Sequence, residues 1–150
     1  MASGKTHDKS IFLSLPGFWA IGSYYSLDMI TLATFSGFYL FSGLYLSPDL
    51  DMKKSRPSQK WSILKFYWIP YRALFKHKGN FFNRNFYTHF PIIGSLIRFC
   101  YLLFIPGLLL VYNDFQNLET VLKYSMILYV AMELSALVHL IFDIIYTKRS

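Results

Sequence analysis

The sequence holds one cysteine, Cys100, in 150 residues. A single thiol excludes an intramolecular disulfide framework, and without a second cysteine no CxxC pair can bind a metal or run thiol redox chemistry. Charge is scarce as well. Asp, Glu, Lys and Arg make up 15% of the chain, against about 25% in a soluble domain. Disorder needs high charge and low hydrophobicity, and a wetted globular surface needs more polar side chains than are left. Hydrophobic residues at 54% point instead to a small membrane protein, with residues 1–150 forming one domain.

The apolar runs predict an all-α, polytopic helical membrane protein with three to four spans. Met29 to Pro48 carries no charge over 20 residues, and a helix of that length rises roughly 30 Å, the hydrocarbon thickness. Ala33 and Gly37 on it form a small-xxx-small pair that would admit a neighbouring backbone. A second span runs from about Pro91 to Val111, with Arg98 snorkelling to the nearer interface and Pro106-Gly107 bending it. A third runs from about Val121 to Tyr146. Ile11 to Leu27 is apolar but interrupted by Pro16-Gly17, so it forms a short span or lies in the interface. Its proline and bulky aromatics are unlike a signal-peptide core.

Nine of the 15 Lys and Arg residues fall between Lys53 and Arg84, and Lys5, Lys9, Lys148 and Arg149 flank the ends. The opposite loops, around Asp28 and around Asp114 and Glu119, have none. With four crossings, the positive-inside rule puts both termini and the central loop in the cytoplasm. The excess positive charge is therefore a topology signal, with attraction to anionic headgroups as its second effect. No nucleic-acid motif accompanies it. Within that loop, Trp61 to Lys76 reads as an interfacial helix pair broken at Pro70, with Trp and Tyr at headgroup depth.

Topology set by Lys and Arg alone also sorts the remaining polar residues. His7 and Asp8, Asp49 and Asp51, His77, His89, and His139 with Asp143 all fall at the cytoplasmic end. His139 and Asp143 stand four apart, sharing one helix face. An ionisable residue inside a span costs at least ~2.5 kcal/mol, so it usually has a partner or a job. Asp49 and Asp51 repel each other unless a cation lies between them. Imidazole and carboxylate without thiolate suit a divalent metal, zinc first, with manganese or iron as alternatives. Eight donors exceed the needs of one tetrahedral ion; two ions bridged by an aspartate would use them. Such a centre clamps a phosphate in an in-line displacement, and one at headgroup level would meet a lipid phosphoester. Glu133 lies about two turns deeper and serves as a pocket or helix-packing residue.

Ser3-Gly4-Lys5-Thr6-His7-Asp8, Ser47-Pro48-Asp49-Leu50-Asp51, Tyr71-Arg72 leading to His77-Lys78, and Thr88-His89-Phe90-Pro91-Ile92-Ile93-Gly94 together resemble an uncharacterised family of metal-binding bacterial membrane proteins. More distantly, the order of these motifs is similar to inner-membrane metal-dependent hydrolases and to zinc-dependent phospholipase C. The resemblance implies metal binding and a multi-span helical fold in a bacterial inner membrane. The family pattern has His-Arg a few residues before Thr-His. Here either His77-Lys78 fills it with an insertion after it, or Asn83-Arg84 has taken its place.

The candidate metal ligands are thus His7, Asp49, His77, His89, His139 and Asp143. Asp8 and Asp51 are candidate acid–base groups or further ligands, and Arg84 could stabilise an anionic substrate. The functions to weigh are a metal-dependent hydrolase, possible on phosphoesters, and a non-catalytic protein in which the ion is structural or sensed. Transport is disfavoured, because the donors cluster at one end and transporter sites sit near the midplane.

Overall fold

A computed structural model describes residues 4–75, 86–112 and 117–147. Every regular element among them is helical. Four long or medium helices form the body: α1 (Gly4–Tyr24), α2 (Met29–Tyr45), α6 (Ile93–Tyr112) and α7 (Leu118–Thr147). Between α2 and α6 the chain makes a 3-10 turn (Pro48–Asp51), α3 (Arg56–Lys60), a longer 3-10 stretch (Ser62–Trp68), α4 (Ile69–Leu74) and α5 (Phe86–His89).

Local chemistry sets several of these boundaries. Asp28 caps α2: one carboxylate oxygen accepts the Thr31 N–H at 2.9 Å and the other the Thr31 hydroxyl at 2.6 Å. Ser55 caps α3 by accepting the Ser58 N–H. Pro70 lies in the first turn of α4, where its missing N–H costs no helix hydrogen bond. Pro16 does not interrupt α1, contrary to the sequence expectation. A proline removes one donor, and here contacts to α2 hold both flanks: the Ser14 and Tyr39 hydroxyls meet at 2.6 Å, and Trp19 Nε1 donates to Ser36 Oγ at 2.7 Å.

Helix α7 is the spine. Its buried face reads Leu128, Ala131, Met132, Ser135, Ala136, His139 and Asp143, a helical stripe with small residues at its middle. That stripe lets α2 pack along it in the most extensive helix pairing of the fold. The close approach of α1 to α2 falls at Gly43, not at the Ala33–Gly37 pair, which is exposed. A Cβ at Gly43 would stand 2.6 Å from Ile11 Cδ1, whereas one at Gly37 would meet nothing.

Two features of the membrane picture change. Only α7, among the described residues, is both long and apolar enough to cross a bilayer. The 17 residues of α2 rise about 25 Å, short of the hydrocarbon thickness. Second, Trp68 and Tyr71 of the central segment are fully buried, packed with Leu46, Leu50 and Met132 rather than held at headgroup depth. The aliphatic residues of that segment face outward instead: Ile63 is 74% exposed and Leu74 75%.

A candidate metal centre

The ends of four separate elements meet at one end of the bundle. His7 comes from the first turns of α1, and Asp49 and Asp51 from the 3-10 turn after α2. His89 closes α5, and His139 and Asp143 come from the last turns of α7. All six are buried. The Pro48–Asp51 turn is therefore not an exposed loop; proline at its start turns the chain back so that both carboxylates point inward.

Imidazoles and carboxylates alternate along a chain of contacts. The imidazoles of His7 and His139 are stacked, with ring centroids 3.7 Å apart and planes 19° from parallel. Both meet Asp143: His7 Nε2 lies 3.2 Å from Oδ1, and His139 Nε2 lies 3.7 Å from Oδ2. His139 Nε2 is also 3.5 Å from Asp49 Oδ2. The other oxygen of Asp49, Oδ1, stands 3.5 Å from His89 Nε2. His89 Nδ1 then lies 3.9 Å from Asp51 Oδ2 and 2.9 Å from the Thr88 hydroxyl. Burial pushes the Asp49 carboxyl up, but the facing imidazoles of His139 and His89 more than offset this and hold it well below the usual carboxylate range.

These residues fit a cation. A tetrahedral ion with ligands at 2.0–2.2 Å sets its donor atoms roughly 3.3–3.6 Å apart, and the separations above scatter around that value. His7, Asp49 and His139 can each offer a ligand atom within 4.8 Å of the others. His7 Nε2, His139 Nε2 and Asp49 Oδ1 are buried without a hydrogen bond. The 3.5 Å contacts of His139 and Asp49 do not satisfy them, nor does the 3.2 Å approach of His7 to Asp143 make a hydrogen bond, and each orphaned group costs about 1–3 kcal/mol. A shared cation removes that cost. His89 also carries the support common to ligating imidazoles, a fixed partner on the opposite ring nitrogen.

Two residues that spacing alone does not reveal build the shell around this set. Thr88 donates its hydroxyl to Asp51 Oδ2 at 3.0 Å. Arg98 is 1% exposed, so it does not snorkel; it donates to the Thr88 carbonyl at 2.8 Å and to Ser95 Oγ at 3.1 Å. The signal for both was present: Thr88 precedes His89 directly, and Ser95 and Arg98 lie i, i+3 in an otherwise apolar helix. Burial pushes the phenol of Tyr71, beside Arg98 and Asp51, up to about 12, so it remains protonated.

Other candidates lie elsewhere. Asp8 is not part of the cluster: Lys60 at 2.9 Å and Arg56 at 3.1 Å take its carboxylate, tying α1 to α3. Glu133 accepts the Ile92 N–H with both oxygens at 3.0 Å, a packing role at the start of α6. His77, Asn83 and Arg84 lie outside the described residues.

Fold and site together define a small helical protein with a buried His/Asp cluster of metal-binding character. The chain belongs to the family described as "Uncharacterized metal-binding protein (DUF2227)", which it matches over residues 2–150. A curated relative, an uncharacterized protein of Aquifex aeolicus (strain VF5), is 42% identical over 64 residues, which cover 43% of this chain and 40% of the relative. The match thus spans well under half the length of that relative. No solved structure matches.

Proposed function

We propose that this protein is a membrane-embedded metal-dependent hydrolase of phosphoesters, with a two-ion centre bridged by Asp49 at the cytoplasmic face. The observation that carries the reading is the division of Asp49, one oxygen 3.5 Å from His139 and the other 3.5 Å from His89. His7, His139, Asp143 and Asp49 Oδ2 would hold one ion. His89, Asp51 and Asp49 Oδ1 would hold part of the shell of a second. When bound, such a pair supplies a water of lowered pKa and a clamp for phosphoryl oxygens. Asp143 lies against two imidazoles at once, and Thr88 orients His89 and Asp51. Zinc suits the donor set, with manganese or iron(II) as alternatives.

Membrane embedding is supported by α7 and by the outward apolar side chains of α4 and the stretch before it. The distribution of Lys and Arg supports an inner-membrane orientation with both termini and the site in the cytoplasm.

The depth of burial favours a second reading. His139 is 2% exposed and Asp143 0%, as for an ion that staples α1, α2 and α7 without doing chemistry. Purified full-length protein in neutral detergent separates the two. We expect about two zinc equivalents per chain by mass spectrometry, and hydrolysis of bis(p-nitrophenyl) phosphate that chelation abolishes and zinc restores. One tightly held ion and no metal-dependent hydrolysis would establish the stapling role instead.

A further inference from the structure

A cavity of about 880 Å³ opens beside the metal-facing turn, with Asp51 in its wall. Lys53, Lys54, Lys65 and Arg72 line it. None of the four is paired with a carboxylate among the described residues. Four unpaired cations around one concavity repel one another and attract an anion. Lys53, Lys54 and Lys65 are exposed, the Lys65 ammonium lying 5.7 Å from the Phe66 ring centroid, while Arg72 is half-buried and anchored. Its Nε donates to the Leu50 carbonyl at 3.3 Å and its Nη2 to the Lys65 carbonyl at 3.4 Å. Leu50 lies between Asp49 and Asp51, so the turn that carries the carboxylates also braces the guanidinium. A guanidinium has five N–H donors, so others remain for a ligand.

The wall is not wholly polar. Phe66 and Ile69 line it, and both are also exposed beyond it, next to Ile63 and Leu64. A cation-lined concavity with an apolar rim matches a molecule charged at one end and apolar at the other.

We propose that this groove binds the phosphate headgroup of an anionic phospholipid, with Lys54, Lys65 and Arg72 on the phosphate and Phe66 and Ile69 against the acyl region. The assignment rests on the phosphoester reading above for its catalytic meaning, but the groove can be tested alone. Full-length protein in neutral detergent is titrated calorimetrically with dihexanoyl phosphatidate, dihexanoyl phosphatidylcholine and inorganic phosphate, with metal content measured alongside. Phosphatidate should bind at least about tenfold more tightly than either comparison ligand. The double variant Lys54→Gln, Lys65→Gln should lose at least about tenfold in phosphatidate affinity with its metal content unchanged. His139→Ala should keep the phosphatidate affinity while losing metal. If wild type and His139→Ala hold equally little metal but still prefer phosphatidate, the hydrolase reading fails and the groove stands. Equal binding of phosphatidate and phosphatidylcholine, inorganic phosphate binding as tightly as phosphatidate, or an unaffected double variant would overturn the groove.

Discussion

His7 and His139 stack face to face at 3.7 Å, although they come from opposite ends of the chain. The stacking turns both Nε2 atoms toward one carboxylate, Asp143, at 3.2 and 3.7 Å. A helix pair held only by apolar packing has no need of two parallel imidazoles aimed at a buried acid. The cost of burying that set is offset if a cation joins the three side chains.

The first prediction follows from this pair. His7→Ala and His139→Ala should each lower bound zinc by about one equivalent per chain, since each leaves the same site with too few ligands. Thermal unfolding should differ as well. Metal should stabilise wild type strongly and either variant much less, because binding energy adds to folding energy. Equal metal-induced shifts in melting temperature would count against the site.

The bridging role proposed for Asp49 gives a sharper expectation. Asp49→Ala should remove both ions, whereas His89→Ala should remove one and leave the His7, His139 and Asp143 group loaded. Second-sphere changes typically cost 10–100-fold in affinity, so Thr88→Val should weaken one ion by about that factor. Mass spectrometry of the purified variants gives the stoichiometry; identical losses for Asp49→Ala and His89→Ala would argue against two ions sharing one carboxylate.

Acid should release the metal, and the sign can be worked out. Asp49 is held well below the usual carboxylate range, so its contribution to stability is complete above its ordinary value of about 3.9 and is lost only as pH falls through the lowered one. It stays ionised across mildly acidic pH. Loss of metal between about pH 7 and 5 must then come from protons competing for imidazole nitrogen. Equilibrium dialysis should show affinity falling as pH falls, with more than one proton taken up per ion released. A flat profile over that range would mean that imidazoles are not ligands.

Part of this arrangement is legible in the sequence: His7, Asp49, His89, His139 and Asp143 are expected at one end of the helices and do meet there, and the i, i+4 spacing puts His139 and Asp143 on one face. What was hidden depends on pairing in three dimensions. Asp8, expected as an acid–base group or further ligand, is instead neutralised by Lys60 and Arg56, which its sequence neighbours do not announce. Arg98 reads as a snorkelling side chain in the sequence, because its i, i+3 spacing to Ser95 does not say that the carbonyl it serves is that of Thr88, ten residues earlier and next to His89. Trp68 and Tyr71 fit an interfacial pattern equally well, and only the packing of Leu46, Leu50 and Met132 decides that they face inward.

Gly94 supplies the last prediction. A Cβ there would overlap the carbonyl oxygen of Thr88 and stand 2.8 Å from its carbon, and backbone atoms cannot swing aside as a side chain can. The local chain has little slack. Ile92 sits at φ 67°, a conformation that β-branched residues rarely adopt, with its N–H held by Glu133 at 3.0 Å. Arg98, one turn further along α6, also holds the Thr88 carbonyl, donating to it at 2.8 Å. Gly94→Ala must therefore push Thr88 and His89 away from α6, at a cost of about 1–3 kcal/mol. The ion that depends on His89 should weaken, while the one held by His7, His139 and Asp143 remains. Gly37→Ala is the matched control, since nothing lies within 4 Å of a Cβ there and alanine in a helix gains about 0.5–1 kcal/mol over glycine. Melting temperatures and zinc stoichiometry of the two variants check this together. A Gly94→Ala protein as stable and as fully loaded as Gly37→Ala would show that α5 does not depend on its close approach to α6.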